Sequence, residues 1–180
     1  MMNFLKSICA VLLVLVIGPG CQAKQSGGCV SLKSAIFLVR HAEKVLDQPN
    51  PSLTEAGQAR ARRLSEELSG VNLSHIFSTD YRRTLQTAEP TSEAAGVSVT
   101  LYDPSDLSAF AQQLKAMPGV HLVVGHSNTT PQLVEFLGGE PGTPIYEPTE
   151  YDRLYKVEVC SDGSVRSLLT RFGEPYVAER

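Results

Sequence analysis

The pair Arg40-His41 sets a fixed cation beside a group able to act as base, acid or nucleophile. Further along come Arg82-Arg83, then Asp103, then His126-Ser127-Asn128. Arginine offers a planar fork of donors that fits carboxylate or phosphate oxygens. Two arginines and two histidines gathered round one point would hold a doubly charged oxyanion, with an imidazole nitrogen available to attack it.

The elements that must gather them are legible as alternating runs. Ile36 to Val39 is short, continuous and apolar, as in a strand buried on both faces, and it ends at Arg40. His75 to Phe77, Val97 to Leu101 and His121 to Val124 predict three more strands. Ala56, Ala59, Arg60, Arg63, Leu64 and Leu68 have helical spacing, with Ser52 or Thr54 as cap and Gly70 as stop. Further helices are predicted from about Tyr81 to Ala95, with Pro90 kinking or breaking the first of them, then over Leu107 to Leu114, then from Thr130 to Leu137. Arg153 to Val159 and Val165 to Arg171 predict a hairpin about Ser161-Asp162-Gly163. Together these predict a three-layer α/β/α sandwich with a mostly parallel central sheet, in a single domain over 34–180. In such a sheet the strand ends converge on one edge, where ligands bind. The loops 45–51 and 138–151 lie where a rim over that edge is expected.

Three motifs in order, LVRHAEK, STDYRRTLQTAE and VVGHSN, resemble the histidine phosphatase superfamily, whose best-known fold is that of phosphoglycerate mutase. Ala42 stands where the family's Arg-His-Gly signature has Gly, and Arg83 occupies the arginine of its Arg-x-x-Gln-Thr-Ala helix. Leu53-Thr54 with Gly57 is similar to the helix start between those motifs, and the resemblance covers about 34–171. It implies a phosphohistidine formed on His41, with Arg40, Arg83 and His126 neutralising the phosphoryl oxygens and no metal or other cofactor. It implies a carboxylic acid that protonates the leaving oxygen and then helps activate water. Asp103 occupies the family's position for that acid, where phosphatases often have Glu; Glu43, Asp106, Glu150 and Asp152 are the other carboxylates near predicted site loops. The activity implied is hydrolysis of a small phosphorylated substrate. The alternatives are a catalytically silent phosphate- or phosphosugar-binding lipoprotein on the same fold and a mutase, the latter disfavoured because the chain lacks the long insertions that enclose a mutase's substrate.

Other residues read as bland. His75 and His121 lack such context and read as structural; Arg82, about 100° round the helix from Arg83, reads as a solvated or supporting charge. Lys44 reads as a loop charge whose place after the motif keeps it a candidate ligand, and Ser127 and Asn128 as pocket or cap residues. Val124 to Asn128 mimics the nucleophile elbow of an α/β-hydrolase, but Thr129 replaces the final Gly and no histidine follows Ser127. Four scattered histidines make a poor zinc set.

Composition bounds the rest. At 180 residues and 42% hydrophobic content the chain has room for one real core. A net charge of −3 gives no basic excess for a nucleic-acid partner. Lys6, then the apolar run Ile8 to Ile17 and a small-residue exit, predict an export signal over 1–23, too short to span a membrane. Gly20-Cys21 resembles the end of a bacterial lipoprotein box, which implies lipid attachment at Cys21 and a periplasmic or cell-envelope location; cleavage after Ala23 is the other outcome. Residues 24–33 read as a tether. Cys9 lies in the apolar run, leaving Cys29 and Cys160 either to pair in an oxidising compartment or to stay as two thiols.

Overall fold

The computed structural model describes residue 29 and residues 31–178. The expected export signal, Cys9, Cys21 and most of the tether lie outside the described residues.

Six strands form one sheet: β1 (Leu32–Arg40), β2 (His75–Ser78), β3 (Val99–Leu101), β4 (Gly119–Gly125), β5 (Arg153–Cys160) and β6 (Val165–Arg171). Their order is β3-β2-β4-β1-β5-β6. The first four run parallel, and the β5–β6 hairpin adds antiparallel to the β1 side. Helices α1 (Glu55–Glu67), α2 (Arg82–Ala95), α3 (Leu107–Ala116) and α4 (Thr129–Leu137) fill the crossovers.

Strand alternation builds the layers, because successive side chains leave opposite faces. Ile36, Leu38, Phe77, Val123, Tyr155 and Val157 point into one core with Phe110, Leu114, Leu133 and Leu137 of α3 and α4. Val39, Ile76, Leu122, Val124 and Leu154 point into the other with Leu64 of α1 and Ala88 of α2. The expected α/β/α sandwich is what forms. β1 starts earlier than its apolar run because pairing with β5 carries it back to the Leu32–Cys160 register. Cys29 and Cys160 are joined as a disulfide with Cα atoms 5.6 Å apart.

One local alternative is resolved and one expectation is corrected. Thr54, not Ser52, caps α1, its side chain accepting the Gly57 N–H. Pro90 does not break α2, which continues to a left-handed Gly96 at its C-cap. The missing proline N–H costs one helix bond. The buried stripe Thr84, Thr87, Ala88 and Thr91 holds the helix on the core regardless, and Ser65 Oγ donates to the Pro90 carbonyl at 3.1 Å.

Candidate active site

The carboxyl ends of β1 and β4 lie side by side, Arg40 in register with Gly125. The His41 N–H donates to the Gly125 carbonyl at 2.9 Å, extending the parallel pairing by one step. That step brings the His41 and His126 rings to 5.6 Å between centroids. Gly125 is required where it stands, since a Cβ would lie 2.9 Å from both Thr130 Oγ1 and the Tyr102 hydroxyl. The cleft at this edge has a volume of about 450 Å³ and is lined by His41, Lys44, Arg83, His126 and Glu147, with Ser127 to Thr129 at the start of α4. That helix start turns its positive dipole end toward the cleft.

The tautomer of His41 follows from its partner. Nδ1 lies 2.8 Å from the Ala42 carbonyl, which can only accept, so Nδ1 carries the proton and Nε2 keeps its lone pair. Burial pushes its pKa down to about 2; the Ala42 bond opposes this, and the charges of Arg40 and Arg83 add to it. His41 is therefore neutral at physiological pH, the form a nucleophile needs. His126 is fixed likewise: Nδ1 lies 3.4 Å from Arg83 Nη2, which can only donate, so Nε2–H donates to Thr79 Oγ1 at 3.0 Å. Burial, then the positive charges of Arg83, Arg40 and Lys44, push its pKa down to about 4.

Arg40 is buried, its guanidinium 4.0 Å above the Tyr151 ring, and it donates to the Glu150 carbonyl at 2.9 Å and to Glu147 Oε1 at 3.1 Å. Arg83 lies 4.5 Å over the Tyr81 ring. Both arginines keep a buried Nε with no partner among the described residues, a donor suited to an oxyanion. Arg82 is exposed, as expected. His75 and His121 lie apart from the cleft, with their Nδ1 atoms 3.3 Å from each other.

The remaining motif residues hold the site in shape. Thr87 Oγ1 accepts the Ala42 N–H at 2.9 Å and Gln86 Oε1 accepts the Leu53 N–H at 2.8 Å, so α2 fixes both the loop after His41 and the approach to α1. The Ala42 methyl packs with Leu53 and Ala61. A Cβ on Gly57 would collide with the Glu43 carbonyl, which is why α1 passes that loop with a glycine.

The expected acids are placed elsewhere. Asp103 is exposed; its carboxylate accepts the Ser105 N–H in a tight turn, and it does not line the cleft, although Pro104 and Ser105 do. Asp106 caps α3 through the Ala109 N–H. Glu43 is paired with Arg60. Glu150 is buried between Arg153 and Arg171, which hold its carboxylate in the charged form against the opposing effect of burial, and Asp152 pairs with Arg171. Among the described residues, Glu147 is the carboxylate that lines the cleft. No signal in the sequence marked it or Tyr151, because both arrive on a loop. Among the described residues no group of three or more His, Cys, Asp or Glu is placed to hold a metal ion.

The sequence model of the histidine phosphatase superfamily (branch 1) matches residues 36–104. A probable phosphoglycerate mutase, GpmB, from Erwinia tasmaniensis is 33% identical over 76 residues, which are 38% of this chain and 35% of that protein. The match thus spans about a third of the length of such relatives. The fold is similar to that of the protein histidine phosphatase SixA complexed with tungstate (TM-score 0.61, 22% identity, 77% of this chain and 95% of that one). It is also similar to that of phosphoserine phosphatase from Entamoeba histolytica (TM-score 0.57, 16% identity, 79% and 98%). With its Arg-His and Arg-x-x-Gln-Thr-Ala motifs folded round one cleft, and with a sequence match over residues 36–104 that spans both, this chain is similar to the histidine phosphatase superfamily in sequence and in fold.

Proposed function

We propose that the chain is a phosphomonoesterase that passes the phosphoryl group through Nε2 of His41, without a metal ion. The observation that carries this reading is the Nδ1–H to Ala42 carbonyl bond, which leaves Nε2 of a neutral imidazole unprotonated within the field of Arg40 and Arg83 and beside His126. Attack on phosphorus forms an N–P bond as the ester P–O bond breaks. Arg40, Arg83 and Lys44 take up the charge on the non-bridging oxygens, work that Mg²⁺ does in other phosphoryl-transfer sites, while neutral His126 holds Arg83 through its Nδ1. Water then releases phosphate from the histidine.

The cleft is open and small, which fits hydrolysis of a small phosphate ester. Proteins of similar fold are described as acting on a protein phosphohistidine and on phosphoserine, two leaving groups that differ in their need for a proton. We further propose that the protein is exported and held at the cell envelope by lipid on Cys21. The apolar run ending at Gly20-Cys21 and the Cys29–Cys160 bond both favour an oxidising compartment. Cell fractionation with a mass measurement of the mature N-terminus tests this; an unmodified, soluble chain beginning at Met1 would overturn it.

For the activity, the test is incubation with a ³²P-labelled alkyl phosphate, an acid-free quench, and assay for acid-labile label on the protein. Turnover with label that is lost in His41→Ala is expected. Neither turnover nor label in the wild type would instead favour a silent phosphate-binding protein, and label persisting in His41→Ala would mean another nucleophile.

A further inference from the structure

Among the described residues, Glu147 is the carboxylate that lines the cleft, and it pairs there with Lys44 and with Arg40 behind it. Its Oε1 lies 3.1 Å from Arg40 Nη2 and 3.7 Å from Lys44 Nζ, with its side chain 56% exposed. The backbone beneath it is fastened. The Thr149 and Glu150 N–H groups both donate to the Tyr146 carbonyl, and the Tyr146 N–H donates to Glu150 Oε2 at 2.8 Å, closing a turn around position 147. Arg153, nearly fully buried, holds Glu150 and the Pro144 carbonyl from below. A rigid turn therefore presents one swinging carboxylate to Arg40, the neighbour of His41.

We propose that Glu147 is the proton donor to the leaving group, which makes the substrate class an alkyl phosphate monoester. The proposal rests on the phosphohistidine reading above. A phosphoryl dianion competes with Glu147 for Arg40 and Lys44. Displaced from both, Glu147 is the carboxylate among the described cleft residues that can carry a proton to the ester oxygen. As the His41 Nε2–P bond forms and the P–O bond breaks, Glu147 gives its proton to the departing oxygen and becomes a carboxylate while the alcohol leaves. In the second half the carboxylate takes a proton from water as its oxygen attacks phosphorus. The N–P bond breaks, hydrogen phosphate departs and Glu147 is again an acid. An alkoxide is a poor leaving group and needs that proton; a nitrophenolate does not.

The test compares Glu147→Gln with wild type on an alkyl phosphate (glycerol phosphate) and on 4-nitrophenyl phosphate, with His41 labelling measured alongside. The expected result is a loss in kcat of about 10²-fold or more on the alkyl ester and only a few-fold on the aryl ester. The variant must still form acid-labile label from the aryl ester. Equal losses on both esters would overturn the proposal and make Glu147 a structural residue. A lower KM on both with kcat retained would also overturn it, making Glu147 only a displaced counter-ion. Wild type that turns over neither ester would remove the phosphatase reading itself, and the proposal with it.

Discussion

Thr87 Oγ1 accepts the Ala42 backbone N–H at 2.9 Å and donates to the Arg83 carbonyl at 2.6 Å, linking the residue after His41 to the helix that carries Arg83. The threonine is buried, and so is the N–H it satisfies. Thr87→Val keeps the shape and removes the acceptor, leaving a buried backbone donor unpaired at a cost of about 1–3 kcal/mol. The displaced His41 loop is expected to lower kcat/KM by about tenfold or more, because small misplacements of reacting groups are costly. Thr87→Ser is expected to restore most of both. Urea denaturation and steady-state kinetics on the two variants check this; a Val variant with normal kinetics would show that the bond does not set the position of His41.

Histidine protonation gives the site a defined acid sensitivity. The pKa of His41 is pushed down to about 2 and that of His126 to about 4, in both chiefly by burial, and burial lowers His121 as well. All three titrate near 6.5 when unfolded. Below that pH the unfolded chain binds protons that the folded chain refuses, so their contribution to stability is fully present above about pH 6.5. It is lost as pH falls toward 4. Denaturation midpoints are expected to fall steadily over that window. NMR titration of labelled imidazoles is expected to show His126 neutral until about pH 4; an inflection near 6.5 would refute the placement of positive charge around it.

The parts legible in the sequence are those set by short-range pattern. Arg40, His41 and His126 follow directly from strands whose apolar runs are unmistakable, and Arg83 sits at a helix start, so their convergence is readable as three strand exits on one edge. Asp103 is legible as a turn residue, but the turn itself consumes the carboxylate through the Ser105 N–H, a use that residue type and position alone do not distinguish from an acid's. Glu147 and Tyr151 could not be read, since their positions depend on where Arg153 ties a Pro- and Gly-rich loop. Pro90 does not end α2, because tertiary burial of the α2 stripe outweighs one lost helix bond.

Arg153 is the tie that the rim loop depends on. Its guanidinium donates to Glu150, the Thr143 and Pro144 carbonyls, Thr143 Oγ1 and the Tyr155 hydroxyl while only 4% exposed. Arg153→Met removes every one of these bonds and leaves the buried Glu150 with Arg171 as its remaining cation. A destabilisation of about 3–5 kcal/mol is expected, as for a broken buried ion pair. Hydrogen exchange should rise across 141–150. Adding Glu150→Leu is expected to recover part of the stability but none of the exchange protection. Normal protection in the single variant would show that the loop is held by its prolines instead.

The Cys29–Cys160 bond joins residues 131 positions apart and fastens the chain before β1 to the end of β5. Next to it, the Ser161 N–H donates to the Ser31 carbonyl at 2.9 Å, so the crosslink closes a junction that the backbone already makes. Its effect therefore falls mainly on the unfolded chain, where it closes a long loop, and its removal is expected to cost about 2–5 kcal/mol. The cleft lies at the other end of β1, so the Cys29→Ser/Cys160→Ser variant is expected to keep its kinetics while its thermal midpoint drops by several degrees. Calorimetry of the oxidised protein, the reduced protein and the double variant measures this. Equal midpoints in all three would show that the bond adds nothing to what the β1–β5 pairing supplies.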